Sequence, residues 1–553
     1  MAAEPVIIVG GGPVGLATAL ELTRFGVRSV VVEQRETTSW HPKTRNVNTR
    51  TMEIARGWGR TVYERLRGID SADDWKSPIR FLRSVVGEEV GRIDSAGFVG
   101  PGPEVSPALP IMSSQDLMEQ IYFDAARASG LVDLRFGCRA LRVLRGQRAS
   151  DDGVAIEVTD LASGETRVLS GAALVAADGV DSTVRDALGI ELEGDKGLHH
   201  FVNCYFRADV ERWVGTRRGV LLFVANPNAA GVLQPLDGRG RWLCQIAVSA
   251  AEWSPEIFTR ERCRQWIRGA VGVPDIDPEV LSVGRWQMNA TVAATFVQGR
   301  VVLVGDAAHQ FPPTGGLGVN TGIQGMHNAM WKLALLLDGR AGPGLLETYT
   351  TERQPVSRWT VAQSLQNHRH VQQIALASLA GVENSMSTGD VVTAARRYGN
   401  HLGIEFGCAY ESTAVVPDGT ALPEVADPYS DYVPTARPGS RAPHVWLGRG
   451  DEALSTLDLF GPGFTVLTGA GETSWHEAAR RAGAALGVPL ACYGIGSAGL
   501  EDRDGVFFER FGIAPSGAVL VRPDGYVGWR TARGADYDDL GRAVSRILQR
   551  PVA

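Results

Sequence analysis

Near the start of the chain, Gly10-Gly11-Gly12-Pro13-Val14-Gly15 sets glycines in G-x-G-x-x-G spacing between an apolar run at 6–9 and a helical run at 15–25. That arrangement suits the pyrophosphate of a dinucleotide. Gly10 allows a tight turn, Gly12 a close approach by phosphate, and Gly15 tight helix packing; the helix, opened by Pro13, offers free N–H groups and a positive dipole end. Glu33, followed by Gln34, ends a second β-branched run at 28–32, where a carboxylate can accept hydrogen bonds from ribose hydroxyls. The glycine pattern occurs once, so one dinucleotide has its own site of this kind. Two further turns carry acids after apolar runs: Ala177-Asp178-Gly179-Val180-Asp181 and Gly305-Asp306-Ala307-Ala308-His309. Taken alone, Asp178 and Asp306 fit equally well as helix caps.

The elements that must hold these residues follow from the hydrophobic pattern. Residues 6–33 read as a β-α-β unit, with Gly26 ending the helix. From 191 the texture changes to strand-like runs at 201–210, 219–225, 231–235 and 242–248, which predict an inserted antiparallel sheet. A strand at 300–306 and a long helix through Ala334 return to the first texture, and further helix is expected over 344–397, kinked or interrupted at Pro355. Residues 410–442 read as a connector. The tail resumes with a strand at 463–467, a helix at 475–486, a strand at 490–493 and a hairpin at 518–528 around Pro523-Asp524-Gly525, a small α/β domain. The expected layout is α/β: a Rossmann-like dinucleotide domain (1–190 and 270–400), a substrate sheet (191–269, with 75–110 able to contribute), a connector (401–442) and a C-terminal domain (443–553).

Composition narrows the function. The chain has 553 residues, 44% of them apolar, and a net charge of -7, which excludes disordered and collagen-like classes and does not suit a nucleic-acid binder. Apolar runs such as 333–337 fall far short of the ~20 residues of a membrane span, so a cytoplasmic protein with no membrane partner is expected. The six cysteines are scattered without C-x-x-C pairs, so neither a disulfide framework nor a metal site is indicated.

The glycine turn, the Asp178-Gly179 motif with its following Arg185, and Gly305-Asp306, in this order, resemble the class A flavoprotein aromatic hydroxylases of the para-hydroxybenzoate hydroxylase fold. The resemblance extends through Pro42-Lys43-Thr44-Arg45, Asn48-Thr49-Arg50-Thr51-Met52-Glu53, Gln115, PPTGGLGVNTGIQ (312–324) and LLETYTTERQP (345–355). The tail is similar to the thioredoxin-like domain of the phenol and aromatic-polyketide hydroxylase branch, through PGSRAPHVWL (438–447), STLDLFG (455–461), FTVLTG (464–469) and VLVRPDGYVGWR (519–530). It has no C-x-x-C, so thioredoxin redox chemistry is not open to it.

The resemblance implies FAD as the dinucleotide, with Asp306 on the ribityl hydroxyls, Gln115 on the flavin side, and Lys43 and Arg45 near the pyrophosphate or an incoming nicotinamide. Asp178 and Gly179 would serve both FAD and the reduced pyridine nucleotide. Gly316 and Gly318 let backbone approach a flat ring, and a helix starting near Val319 and Asn320 would aim its dipole at the flavin edge that becomes negative on reduction. Pro313, Arg45 and Tyr205 are expected on the reacting side. Two departures stand out. Relatives carry Asp-Ala before His-Asn where this chain has Gly325-Met326, and the acid that assists substrate deprotonation in phenol hydroxylases is replaced by Arg45-Asn46. The substrate base or anchor must then come from residues such as Tyr205, Arg207, Gln234 or His41.

The implied activity is a monooxygenase that takes electrons from NADPH or NADH, reacts with O2 through a flavin C4a-hydroperoxide, and hydroxylates a phenolic or polyketide-type ring; a homodimer is compatible with it. A Baeyer-Villiger or epoxidising monooxygenase on a polycyclic ketone or quinone, a flavin reductase, and a non-catalytic FAD-fold binding protein are the alternatives.

Overall fold

The computed structural model describes residues 4–43, 45–148, 150–380, 392–496, 499–534 and 536–550, so Thr44 and residues 381–391 of the helix expected over 344–397 lie outside the described residues. Strand Val6–Val9 is buried along its whole length, as a continuous Val-Ile-Ile-Val run requires of a central parallel strand. It pairs in parallel with Ser29–Glu33 on one side and Ala173–Ala176 on the other. Val132–Phe136 and Val301–Leu303 extend the parallel sheet outward, and Val297–Gln298 closes one edge antiparallel. Open parallel sheets bind ligands beyond the carboxyl ends of their strands. Here the glycine turn, Glu33, Ala177-Asp178 and Gly305-Asp306 follow four adjacent strands, so the sheet gathers these motifs onto one edge.

The second layer is an eight-stranded sheet in the order His309–Gln310, Glu279–Ala293, Leu192–Arg207, Arg241–Val248, Ala229–Pro235, Leu221–Asn226, Ile79–Leu82 and Glu89–Ile93. It therefore runs past the limit of 269 expected from the sequence. Glu279–Ala293 pairs along nearly the whole of Leu192–Arg207, and contiguity in sequence could not reveal that pairing. Helix Arg260–Val271 covers one face with Trp266, Ile267 and Val271. The other face turns toward the parallel sheet. Helix Gly344–Ala380 runs through Pro355, so the proline does not interrupt it; beside the proline, Gln354 Nε2 donates to the Ala293 and Ala294 carbonyls, each at 2.8 Å. Packing here outweighs one missing backbone bond.

The C-terminal unit has the strand order Leu490–Ile495, Phe464–Gly469, Ala518–Val521, Val527–Thr531, with helices Thr473–Leu486 and Asp538–Ile547 packed against it. Cys492 is its one cysteine. Buried charges fix the unit to the first domain. Arg522 donates to Glu352 (2.6 and 2.9 Å) and to Asp524, while Lys332 reaches the same Glu352 at 2.7 Å. Arg441 pairs with Glu53, which also takes Arg50 at 2.9 Å. The segment expected as a connector is no loose tether, since Tyr410, Ala436 and Arg441 on it are buried.

Removing one partner of a buried ion pair strands the other. Arg522→Met should cost about 3–5 kcal/mol of interface stability, read as earlier release of the C-terminal unit in a urea titration followed by limited proteolysis. Acid should act on the same pairs. Burial alone would raise Glu352 and Glu53, but Arg522 with Lys332, and Arg441 with Arg50, outweigh it and hold both carboxyls below the usual range. Glu21, buried beside Arg24 and His327, is likewise held at about 2. These depressed carboxyls contribute stability that is complete above their ordinary 4.5 and is lost as pH falls toward their folded values. The thermal midpoint should therefore decline steadily on acidification below about pH 4.5.

Candidate active site

A cavity of about 910 Å³ runs from the carboxyl edge of the parallel sheet to the open face of the eight-stranded sheet. At the first end stands the glycine turn, and its three glycines have different reasons for lacking a side chain. Gly10 has φ +105°, and a Cβ there would strike the Ala177 carbonyl. A Cβ on Gly15 would strike the Gly10 carbonyl, so Gly15 serves helix packing and does not line the cavity. Gly12 is different. Its backbone is extended, at φ -76°, and a Cβ there would meet no protein atom within 4 Å. Nothing in the protein requires glycine at that position; the space a side chain would take is open cavity at the N-terminus of helix Pro13–Arg24, where a phosphate fits.

Around this turn the predicted residues assemble. Glu33 accepts from the Gly11 N–H at 2.6 Å and from the Arg35 N–H at 2.8 Å, stapling the turn to the next strand, and it lines the cavity with Gln34. Asp178 is a cap as well as a wall: Ser182 Oγ donates to it at 2.5 Å and the Val184 N–H at 3.0 Å. Arg185 clasps this loop to the other acidic turn through the Val180 and Ala307 carbonyls. Asp306 is exposed to the cavity; the low-dielectric protein around it raises its carboxyl to about 6, with Lys43 opposing the rise. Gln115 reaches the wall and donates to Glu119 at 2.5 Å. Gly179, Lys43 and Pro313 also line the cavity, and the Pro313 carbonyl closes a turn with the Gly316 N–H at 3.1 Å.

Helix Gly318–Leu337 begins slightly earlier than expected, and no side chain caps it. Gly316, Gly318 and Val319 present this N-terminus to the cavity. Asn320 does not; expected as a cofactor contact, its side chain spends its hydrogen bonds inside the protein. Its Oδ1 accepts from the Asn48 N–H (2.9 Å) and Thr51 Oγ1 (2.8 Å), and its Nδ2 donates to the Asn46 (3.0 Å) and Gly316 (2.8 Å) carbonyls. It braces the loop from behind.

Arg45 and Tyr205 also depart from expectation. The Arg45 guanidinium lies on the cavity wall but donates to the Pro235 and Val220 carbonyls of the eight-stranded sheet, so it joins the two layers there. Burial without a carboxylate partner lowers it to about 9. Tyr205 does not line the cavity; its hydroxyl accepts from Arg241 Nε at 2.8 Å, with Arg241 held in turn by Asp116. Alternation sets Tyr205 on the same face as Phe201 and Asn203, which do line the cavity, but it lies farther along the strand, packed with Leu236 and Leu243 beyond the cavity's edge, and sequence alone could not fix where along the strand the cavity ends. Arg207 is exposed and does not line the cavity. His41 is on the wall, 2.6 Å from Ser282 Oγ, and burial together with Lys43 lowers it to about 4. The acid missing at Gly325 has a visible consequence. Arg353, whose Nε lies 4.0 Å from where a Cβ on Gly325 would sit, just beyond Tyr349 Oη at 3.2 Å, is buried and among the described residues donates to Tyr410 Oη (3.2 Å) and the Thr321 carbonyl (3.4 Å).

At the far end the wall becomes apolar. Phe201 stacks on Trp286 with centroids 4.5 Å apart, and Phe81 on Phe223 at 5.3 Å; all four rings line the cavity. The sequence pattern did not single out these rings, because they lie on four strands that only the sheet brings together.

The family model described as "FAD binding domain" matches residues 3–364, and that described as "Aromatic-ring hydroxylase, C-terminal" matches 435–551. Tetracenomycin A2 monooxygenase-dioxygenase of Streptomyces glaucescens is 37% identical, covering 99% of this chain and 97% of its own. The structure of the flavin-dependent monooxygenase PieE with FAD and substrate superposes with a TM-score of 0.92 at 34% identity, covering 99% of each chain. That of aklavinone-11 hydroxylase with FAD and aklavinone does so at 0.85 and 35%, again over 99% of each. The open cradle at Gly12, the uncapped helix start at Gly318 and the acid at Asp306 fit the cofactor that these matches imply, and the chain belongs to the family of FAD-dependent aromatic-ring hydroxylases.

Proposed function

We propose that this hydroxylase acts on a fused-ring phenol rather than a single ring, with NADPH as the electron donor. The observation that carries this reading is the reach of the cavity across the sheet. From the strand bearing Trp286 to the strand bearing Phe81 there are five strand intervals, roughly 24 Å, and the lining rings stand at both ends of that span. The floor between them includes Ala225, Ala230 and Ala247, small enough for a flat ring system to lie across. A single phenol would leave much of this apolar surface in contact with water.

FAD, when bound, supplies the reductive activation of oxygen that side chains cannot perform. The residues named above divide the rest. Gly12 and the start of helix Pro13–Arg24 would hold the pyrophosphate, Asp306 the ribityl hydroxyls, and the start of helix Gly318–Leu337 the ring edge that gains charge on reduction. The stacked rings would orient the substrate and keep water out.

Three measurements test this reading. In anaerobic reduction by NADPH, followed at the flavin absorption band, a hydroxyanthraquinone or naphthol should accelerate bleaching more than phenol does; equal acceleration by phenol would remove the fused-ring assignment. Gly12→Val should give folded protein that purifies without FAD, since the side chain enters the cradle and touches no protein atom. Asp306→Ala should weaken FAD retention by on the order of 10- to 100-fold, the worth of a hydrogen bond to a charged group, measured by flavin release on dilution.

A further inference from the structure

Resting on the fused-ring reading above, we propose that Gln234 is the side chain that hydrogen-bonds a ring hydroxyl of the substrate and so sets which edge of the ring system faces the flavin. Gln234 lies on strand Ala229–Pro235, is only 8% exposed, and lines the cavity. Its amide makes no hydrogen bond to any described residue, yet neither amide atom is sealed off, so the exposure it retains is to the cavity. The other polar residues that competed for this role are spent elsewhere: Tyr205 on Arg241, His41 beside Ser282, and Arg207 on the outer surface. A nearly buried primary amide without a partner is costly unless a ligand completes its bonds.

Its place in the fold suits the task. The carbonyl of the next residue, Pro235, receives Arg45, and Asn46 beside Arg45 packs under Gly316 at the flavin loop. Gln234 therefore stands where the sheet meets the loop that faces the flavin. Two more amides continue the polar strip between the aromatic pairs. Gln245 and Asn203 are register partners on adjacent strands, and Trp286 Nε1 donates to Asn203 Oδ1 at 2.8 Å, which leaves the Asn203 N–H groups toward the cavity. Because a primary amide both donates and accepts, Gln234 can receive a ring O–H through Oε1 or donate from Nε2 to a ring oxygen.

The test compares 2-naphthol with naphthalene, which lacks the oxygen, binding to the FAD-loaded enzyme by equilibrium dialysis. The wild type should prefer 2-naphthol. Gln234→Leu should lose on the order of tenfold in affinity for 2-naphthol, leave naphthalene within about twofold, and keep its FAD; Gln234→Met, unbranched like glutamine, should show the same selective loss. An unchanged preference in both variants, or an equal loss for both ligands, overturns the assignment of Gln234 alone. If the wild type binds phenol but neither fused ring, the substrate class proposed above falls and this assignment with it.

Discussion

Parallel strands cannot be joined by a tight turn; each needs a crossover that returns to the same end of the sheet. That constraint organises this protein. Because Val6–Val9 has parallel neighbours on both sides, every parallel strand that pairs outward from it ends at one edge, and the loops leaving those ends are forced together. The glycine turn, Asp178 and Asp306 are near neighbours for this reason, although the chain between them includes strands of three other sheets. The uncapped helix starts at Pro13 and Gly318 point at the same space, so the edge is an electropositive rim built from backbone. Side-chain acids at its margin then supply acceptors.

A rim of loops needs bracing, and the braces are buried polar contacts behind it. Asn320 joins the loop at Gly316 to the segment 46–51, and Arg50 and Glu53 on the same helix join that segment to the C-terminal unit through Asp524 and Arg441. The thioredoxin-like unit thus bears on the loop at Gly316 through Arg50, Glu53 and Asn320, without contributing a cysteine pair. Buried charges seldom add net stability over apolar packing, but each fixes one geometry because its loss leaves a partner unpaired. This suits a surface whose job is to hold a loop in register.

The cavity changes character along its length. Near the glycine turn it is lined by backbone N–H groups and carboxylates, and over the eight-stranded sheet by stacked rings and a strip of amides. Arg45 stands at the change, a desolvated cation bonded, among the described residues, to the Pro235 and Val220 carbonyls. The polar end suits a cofactor with many hydrogen-bonding atoms, and the flat end a ring system with few.

Sequence by itself determined the cofactor end. A glycine turn between a buried strand and a helix, an acid ending the next strand, and acids after two later strands are local patterns whose spacing carries their geometry, and the structure places them on one edge as such patterns require. The hairpin around Pro523-Asp524-Gly525 and the strands of the inserted sheet were legible for the same reason. What the tertiary structure alone decided is the substrate end. Tyr205 and Gln234 look alike as polar residues on predicted strands, and pairing sets both on one face of the sheet, yet Gln234 lies within the reach of the cavity while Tyr205 sits beyond its edge against Arg241. Strand Glu279–Ala293 joined the sheet from outside the expected boundary, and Phe81, Phe201, Phe223 and Trp286 became a wall only once four strands lay side by side. The physical reason is range: turns and caps are set by neighbours a few residues away, whereas the faces of a sheet are set by partners that no local pattern names.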